Sequence, residues 1–418
     1  MSELASRAAI EASWTIESAR LIGALVRVVR DVALAEDLAQ EALVVALETW
    51  PHTGIPDRPG AWLMTTAKRR AIDELRRREL RDRVHGEIVT TTPSATSIDP
   101  SDDEPIADDV LRLVLVSCHP VLSMEARVAL TLRLVAGLTT AEIARAYLVP
   151  EPTIAQRIVR AKKTLAAARV PFEVPDAAEL TPRLEAVREV LYLVFNEGYA
   201  ASQGRWTRPE LCDEALRLGR MLVAHVPHDA ETHGLLALME LQASRLRART
   251  DARGRPVLLL DQDRSRWDRL LVERGLAALE RAQALARPSG SYTLQAAIAA
   301  CHARAIDPRE TDWSRIVALY DALVEVTGSP IVELNRVVAV SMAEGPAAAL
   351  PLLDDLADEP ALARYPFLPS VRADLLAKLG RTREAILELE RAASLTTNDD
   401  ERALLHGRAR ALRDPSVS

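Results

Sequence analysis

A chain of 418 residues, 48% apolar and 27% charged, has ordinary globular composition and is long enough for roughly two to four domains. No run of about 18 apolar residues occurs, which excludes a membrane-spanning helix, and no charged-then-apolar leader opens the chain, so a cytoplasmic protein is expected. The net charge of −7 excludes a uniformly basic nucleic-acid binder, and three scattered cysteines (Cys118, Cys212, Cys301) form neither a disulfide pattern nor metal-ligand spacing, so no metal and no cofactor is expected.

The charge is unevenly placed. Residues 1–57 carry 4 basic and 9 acidic groups, and residues 58–83 carry 9 basic and 4 acidic. Residues 98–110 hold six acids and no base, and residues 111–170 hold 9 basic and 3 acidic. Only four of the 53 basic residues are lysine, so the arginine count reflects composition and carries little weight. Position carries more: two basic blocks flank one acidic string, a footprint for two separate contacts with phosphate.

Almost every segment reads as helix, and the expected class is all-α. Leu34, Leu38, Ala42 and Val45 recur at helical spacing, with Asp37, Gln40, Glu41 and Glu48 on the opposite side. That acidic side is either a solvated face or a docking surface. A turn-rich stretch, residues 51–59, precedes a helix that opens near Gly60, with Leu63, Ala67, Ala71 and Leu75 inward. Lys68, Arg69, Arg70, Arg76 and Arg77 lie along this helix beside Trp62. Arginine on phosphate and an aromatic stacked on a base suit single-stranded DNA; the other reading is a basic surface helix with Trp62 in the core. Residues 90–109, rich in Ser, Thr, Pro and Asp, read as a linker.

Thr139–Thr140 caps the next helix, with Glu142 in capping-box position. A turn at residues 150–152 leads to a second helix from Thr153. Ile154, Ile158, Ala161 and Leu165 form its inner stripe; Thr153, Gln156, Arg157, Arg160 and Lys163 form one polar face. This is helix-turn-helix geometry, in which glutamine can pair with adenine and arginine with guanine in the major groove. Arg160, Lys162 and Lys163 suit phosphate, which positions without specifying sequence.

Two prolines in residues 170–175 end that helix, and eleven further helices are expected near 178–195, 208–224, 229–247, 264–286, 289–304, 311–327, 331–343, 346–357, 367–379, 382–395 and 398–412. Residues 366–395, with Gly380 as helix stop and small Ala385 and Ala392, match a tetratricopeptide helix pair. A weaker copy precedes it by roughly 35 residues. Two polar clusters stand out: Asn196, Glu197 and Tyr199, followed by Gln203–Gly204, and Asp261, Gln262, Asp263 and Arg264, followed by Trp267. Turns and caps would explain them. Paired carboxylates can also mark acid–base work, but no nucleophile or histidine lies near in sequence, so no catalytic residue and no enzyme activity is expected.

AEDLAQEALVVALETW (35–50) with AWLMTTAKRRAIDELRRRE (61–79) resembles region 2 of a sigma-70 family RNA polymerase sigma factor of the extracytoplasmic-function (ECF) type. Residues 129–165 resemble its region 4. The chain as a whole resembles the ECF group with a C-terminal tetratricopeptide-like extension. The resemblance implies an all-α protein of two small helical sigma domains joined by an acidic linker, plus a helical repeat-like regulatory domain. The implied boundaries are 1–85 for region 2, 86–109 for the linker, 110–172 for region 4 and 176–418 for the extension.

It further implies that Asp37, Gln40 and Glu41 dock on the β′ clamp helices of core RNA polymerase, with the β subunit also a partner. Trp62, Lys68, Arg69, Arg70, Arg76 and Arg77 would capture the melted −10 element. Thr140, Thr153, Gln156, Arg157, Arg160, Lys162 and Lys163 would meet the −35 element. Both polar clusters would form a regulatory interface, and the extension would bind a protein or peptide. Arg69 stands where asparagine is common in such factors, Pro152 where glycine is usual, and Gln156 where a smaller residue is common. These departures bear on promoter preference. The alternative is a stand-alone helix-turn-helix regulator with a repeat-type sensor.

Overall fold

The computed structural model describes residues 3–85, 106–147, 149–175, 177–200, 207–252, 254–396 and 398–413. These residues form eighteen α-helices and a few 3-10 turns, and no strand is found among them. The chain divides into two compact units, Met1–Val190 and Leu191–Ser418.

The first unit opens with α1 (Glu3–Val29), for which the sequence reading set no bounds. Leu21, Ile22, Leu25 and Val26 are all buried on it. Such burial on several sides fits its neighbours: α1 packs on α2 (Val32–Thr53), α3 (Pro59–His85) and α4 (Ile106–Ser117). Gly23 permits the last of these, since a Cβ there would lie 2.8 Å from the Asp109 carbonyl oxygen. Asp31 caps α2, accepting from the amides of Ala33 and Leu34. The helix runs to Thr53, so the expected turn at 51–59 begins with a last helical turn containing Pro51.

The expected linker also ends early. Residues 86–105 lie outside the described residues, but α4 starts at Ile106, and Asp109 is buried on it. Its carboxylate takes Arg112 at 2.7 Å and Arg27 of α1 at 3.5 Å. In sequence Asp109 falls among the linker acids, because its partner on α1 is distant in the chain.

Three helices follow: α5 (Met124–Leu134), α6 (Thr140–Ala146) and α7 (Glu151–Ala167). The capping box is formed as read: the Glu142 amide donates to Thr139 Oγ1 at 3.2 Å, and the Thr139 amide to Glu142 Oε2 at 2.7 Å. Helix α7 begins at Glu151 rather than Thr153. Pro152 falls in its first turn, where a missing N–H costs nothing. Its stripe of Ile154, Ile158, Ala161 and Leu165 is buried. Then α8 (Ala177–Tyr199) runs across the division between the units.

The second unit holds the end of α8 and ten helices: α9 (Pro209–His225), α10 (Ala230–Ala243), α11 (Arg269–Leu285), α12 (Ser291–Arg304), α13 (Trp313–Thr327), α14 (Pro330–Ala343), α15 (Pro346–Asp355), α16 (Phe367–Lys378), α17 (Thr382–Leu395) and α18 (Asp399–Arg413). Ten of the eleven expected spans agree with a helix to within a few residues. The exception is 264–286: residues 264–266 form a 3-10 turn, and α11 starts only at Arg269, capped by Asp268.

Its core is handed along the chain. Helices α10, α11 and α12 share one cluster, and α12 lends Leu294, Ile298 and Cys301 to the next, with α13 and α14. Helix α14 then lends Leu334, Val337 and Val340 to a third, and α16 joins that cluster to a fourth, with α17 and α18. Each helix depends on its chain neighbours, the dependence seen in stacked helical arrays. Gly380 ends α16 with φ 76°, and Ala385 and Ala392 are fully buried.

Candidate polymerase and nucleic-acid interface

On α2, Asp37 and Glu41 are exposed, and with them Val44 (52%) and Leu47 (40%). The outward stripe is therefore acidic and apolar together. The apolar half escaped the sequence reading, although Asp37, Glu41, Val44 and Glu48 share one helical face. Burial raises the Asp37 pKa, helped by Glu36, Asp31 and Glu41 and opposed by Lys162. Gln40 is half-buried and turns inward, donating to Glu36 Oε1 at 2.6 Å.

On α3, Arg69, Arg76 and Arg77 are exposed and Lys68 is half-buried. Arg70 forms an ion pair with Glu41, joining a residue expected on DNA to one expected on polymerase. Trp62 is half-buried, edge-on to buried Trp50 with ring centroids 5.4 Å apart. It is neither free in solvent nor in the core: its ring packs at a steep angle on Trp50, a residue the local sequence pattern does not mark.

On α6 and α7, Gln156, Arg160 and Lys163 are exposed, while Thr140, Thr153 and Arg157 are half-buried. Lys162 differs. It forms an ion pair with Glu36 of α2, whose carboxylate also accepts from Arg133 Nε at 2.6 Å. Glu36 is only 3% exposed. One buried carboxylate thus clasps α5 and α7 to α2, and Lys162 is spent on that clasp rather than on the outer basic face.

The two polar clusters of the second unit meet at residues the sequence reading passed over. Tyr199 accepts from Arg245 Nη2 and lies under the Arg249 guanidinium at 3.8 Å. Arg245 also faces the Trp267 ring at 5.7 Å, and Arg264 lies over that ring at 5.2 Å. The order is Arg249, Tyr199, Arg245, Trp267, Arg264: three cations alternating with two rings, whose negative faces offset the charge repulsion. Nothing in the local sequence sets Arg245 and Arg249 apart from the other arginines, and only the fold brings them to the rings.

Arg264 is 5% exposed. It donates to the carbonyls of His302 (2.9 Å) and Ala305 (2.6 Å) and to Thr311 Oγ1 (3.2 Å). Gln262 and Trp267 are buried beside it, whereas Asp261 and Asp263 face solvent, Asp263 capping Ser265. The cluster therefore has an outer acidic side and an inner structural side. Glu197 pairs with Arg208 at 2.5 Å and Asn196 is half-buried; Gln203–Gly204 lies outside the described residues.

Burial, Arg245 and Arg264 push the His302 pKa down to about 3. An unfolded histidine titrates near 6.5. Between these values the unfolded chain binds the extra proton, so stability falls as pH drops from about 6.5 toward 3, by at most about 1.4 kcal/mol per pH unit. The loss of thermal stability over this range is expected to be shallower in His302→Gln. An unchanged slope would contradict the burial of a neutral imidazole.

Comparison with known proteins bears on these faces. Residues 17–81 match the family model Sigma-70 region 2, and residues 112–165 match Sigma-70, region 4. An ECF RNA polymerase sigma factor, SigK of Mycobacterium sp. (strain KMS), is 31% identical over 147 residues, 33% of this chain and 72% of that protein. The chain belongs to the sigma-70 family, ECF type. A probable ECF RNA polymerase sigma factor, SigI of Mycobacterium tuberculosis (strain ATCC 25618 / H37Rv), is 29% identical over 40% of this chain and 58% of that protein.

This sigma factor continues beyond region 4: residues 183–283 match a family of unknown function, DUF6596. An uncharacterised protein of Rhizobium meliloti (strain 1021) is 45% identical over 92% of this chain and 91% of its own length. As a sigma factor the chain acts with core RNA polymerase on promoter DNA to initiate transcription. The stand-alone regulator considered above leaves the region 2 match without a use. Among the described residues no helix is long and apolar enough to cross a membrane.

Proposed function

We propose that the sigma factor divides its work among three faces. The acidic and apolar stripe of α2, with Asp37, Glu41, Val44 and Leu47, docks on the β′ clamp helices of core polymerase. Gln40 supports that face through Glu36. Helix α3 captures the melted −10 strand: Trp62, steadied by Trp50, meets a base, and Lys68, Arg69, Arg70, Arg76 and Arg77 hold phosphates. Helix α7 enters the major groove at the −35 element, with Gln156 and Arg160 toward base edges and Lys163 toward phosphate. The C-terminal unit is a non-catalytic regulator whose exposed Asp261 and Asp263 contact a protein partner.

The observation that carries this reading is the exposure of Gln156, Arg160 and Lys163 directly outside the buried stripe of a two-helix unit with a formed capping box. The test is promoter binding by holoenzyme built on the full chain. Gln156→Ala is expected to cost roughly 1–3 kcal/mol of discrimination at one −35 base pair. Lys163→Ala should weaken all promoters about equally and make the salt slope shallower by about one. Unchanged base preference in Gln156→Ala and an unchanged slope in Lys163→Ala would remove α7 from the −35 element.

A further inference from the structure

A cavity of about 750 Å³ opens in the first unit between the end of α1 and the end of α7. Four cations line it: Arg27, Arg30, Lys162 and Arg169. Two acids, Asp31 and Glu173, line it too, and the four cations outnumber them. Arg27 shares Asp109 with Arg112, and Lys162 shares Glu36 with Arg133, so neither of those carboxylates cancels its two cations. Arg30 and Arg169 are exposed, and no described carboxylate pairs with either. Val116 and Leu165 supply an apolar wall.

The backbone gives a second, independent sign. Among the described residues only two non-glycine residues have positive φ, Arg30 at 53° and Arg169 at 50°, and both line this cavity. Each follows the last turn of a helix, where glycine adopts the left-handed conformation without strain. A cation in the last turn would complement the helix dipole equally well without a strained backbone. Strained residues that persist in this way cluster at functional sites.

We propose that this cavity is a binding site for a small organic anion with an apolar body. Its charged group sits between Arg30 and Arg169, and its apolar part rests on Val116 and Leu165. The volume lies within the range of ligand pockets. The ligand bridges α1 to α7 and stabilises the arrangement in which Lys162 is clasped by Glu36. The site is independent of which promoter the sigma factor reads and of which residues read it.

The test uses the full chain with two probes, 8-anilinonaphthalene-1-sulfonate, followed by fluorescence, and inorganic pyrophosphate as competitor. The comparison is the double variant Arg30→Gly and Arg169→Gly, which removes both guanidinium groups and relaxes both backbones, so that it folds at least as well. Saturable one-to-one binding displaced by pyrophosphate is expected in the native chain, with a raised Tm. At least tenfold weaker binding is expected in the variant, with its own Tm equal or higher. Equal affinity in the variant, or no saturable and displaceable binding in the native chain, would overturn the proposal.

Discussion

Replacing Glu36 with alanine is expected to destabilise the first unit by about 3 kcal/mol, because two cations lose one buried carboxylate. For a unit of this size that is a fall of roughly 6–12 °C in Tm. Partial exposure of Arg133 and Lys162 keeps the loss near the lower end for a broken buried pair, since both side chains can turn to water. Scanning calorimetry of the full chain should show the transition of the first unit displaced to lower temperature. Glu36→Ala with Lys162→Met should cost less than the sum of the two single changes, since the residues are coupled. Strict additivity would mean that the Glu36–Lys162 pair contributes nothing.

Arg264→Ala is the counterpart in the second unit, with an expected cost of about 4 kcal/mol. It strands the buried His302 carbonyl, the half-buried Ala305 carbonyl and the Thr311 hydroxyl and uncovers one face of the Trp267 ring. Asp261→Asn, three residues away at the exposed end of the preceding 3-10 turn, should stay within about 0.5 kcal/mol. Urea denaturation of both variants checks the pair. Equal effects would contradict the division of this cluster into an inner structural side and an outer side. If the outer side is the regulatory contact, Asp261→Asn changes promoter activity without changing stability.

The parts of this protein legible in its sequence are those whose causes are local. Helix spans followed from apolar periodicity, and the α6 start followed from Thr139 and Glu142 three residues apart. The buried stripe of α7 followed from spacing alone. Errors arose where a distant partner decided the outcome. Glu36 reads as one more acid on α2 until Arg133, 97 residues on, and Lys162 are brought to it. Asp109 reads as linker until Arg27 of α1 pairs with it.

The same holds in the second unit. Asp261, Gln262, Asp263 and Arg264 read as one polar cluster, but the extended backbone at Gln262 and Asp263, between two 3-10 turns, sends alternate residues to opposite sides. Arg245 and Arg249 became visible only once the fold placed them on Tyr199 and Trp267. Spacing shows which residues share a face. Which face is covered, and by what, depends on contacts made far along the chain.

The central claim is that the exposed faces of α2, α3 and α7 work together as polymerase-docking, strand-capturing and duplex-reading surfaces of one initiation factor. The most direct measurement is in vitro transcription with purified bacterial core polymerase, the full chain, and a promoter taken from upstream of its own gene. A start-specific transcript is expected with the native chain. It should be lost, with folding intact, when Asp37 and Glu41 are reversed to lysine, or when Arg76 and Arg77 are replaced by alanine. Failure of the native chain to bind core polymerase, or a transcript that survives both sets of changes, would contradict the account.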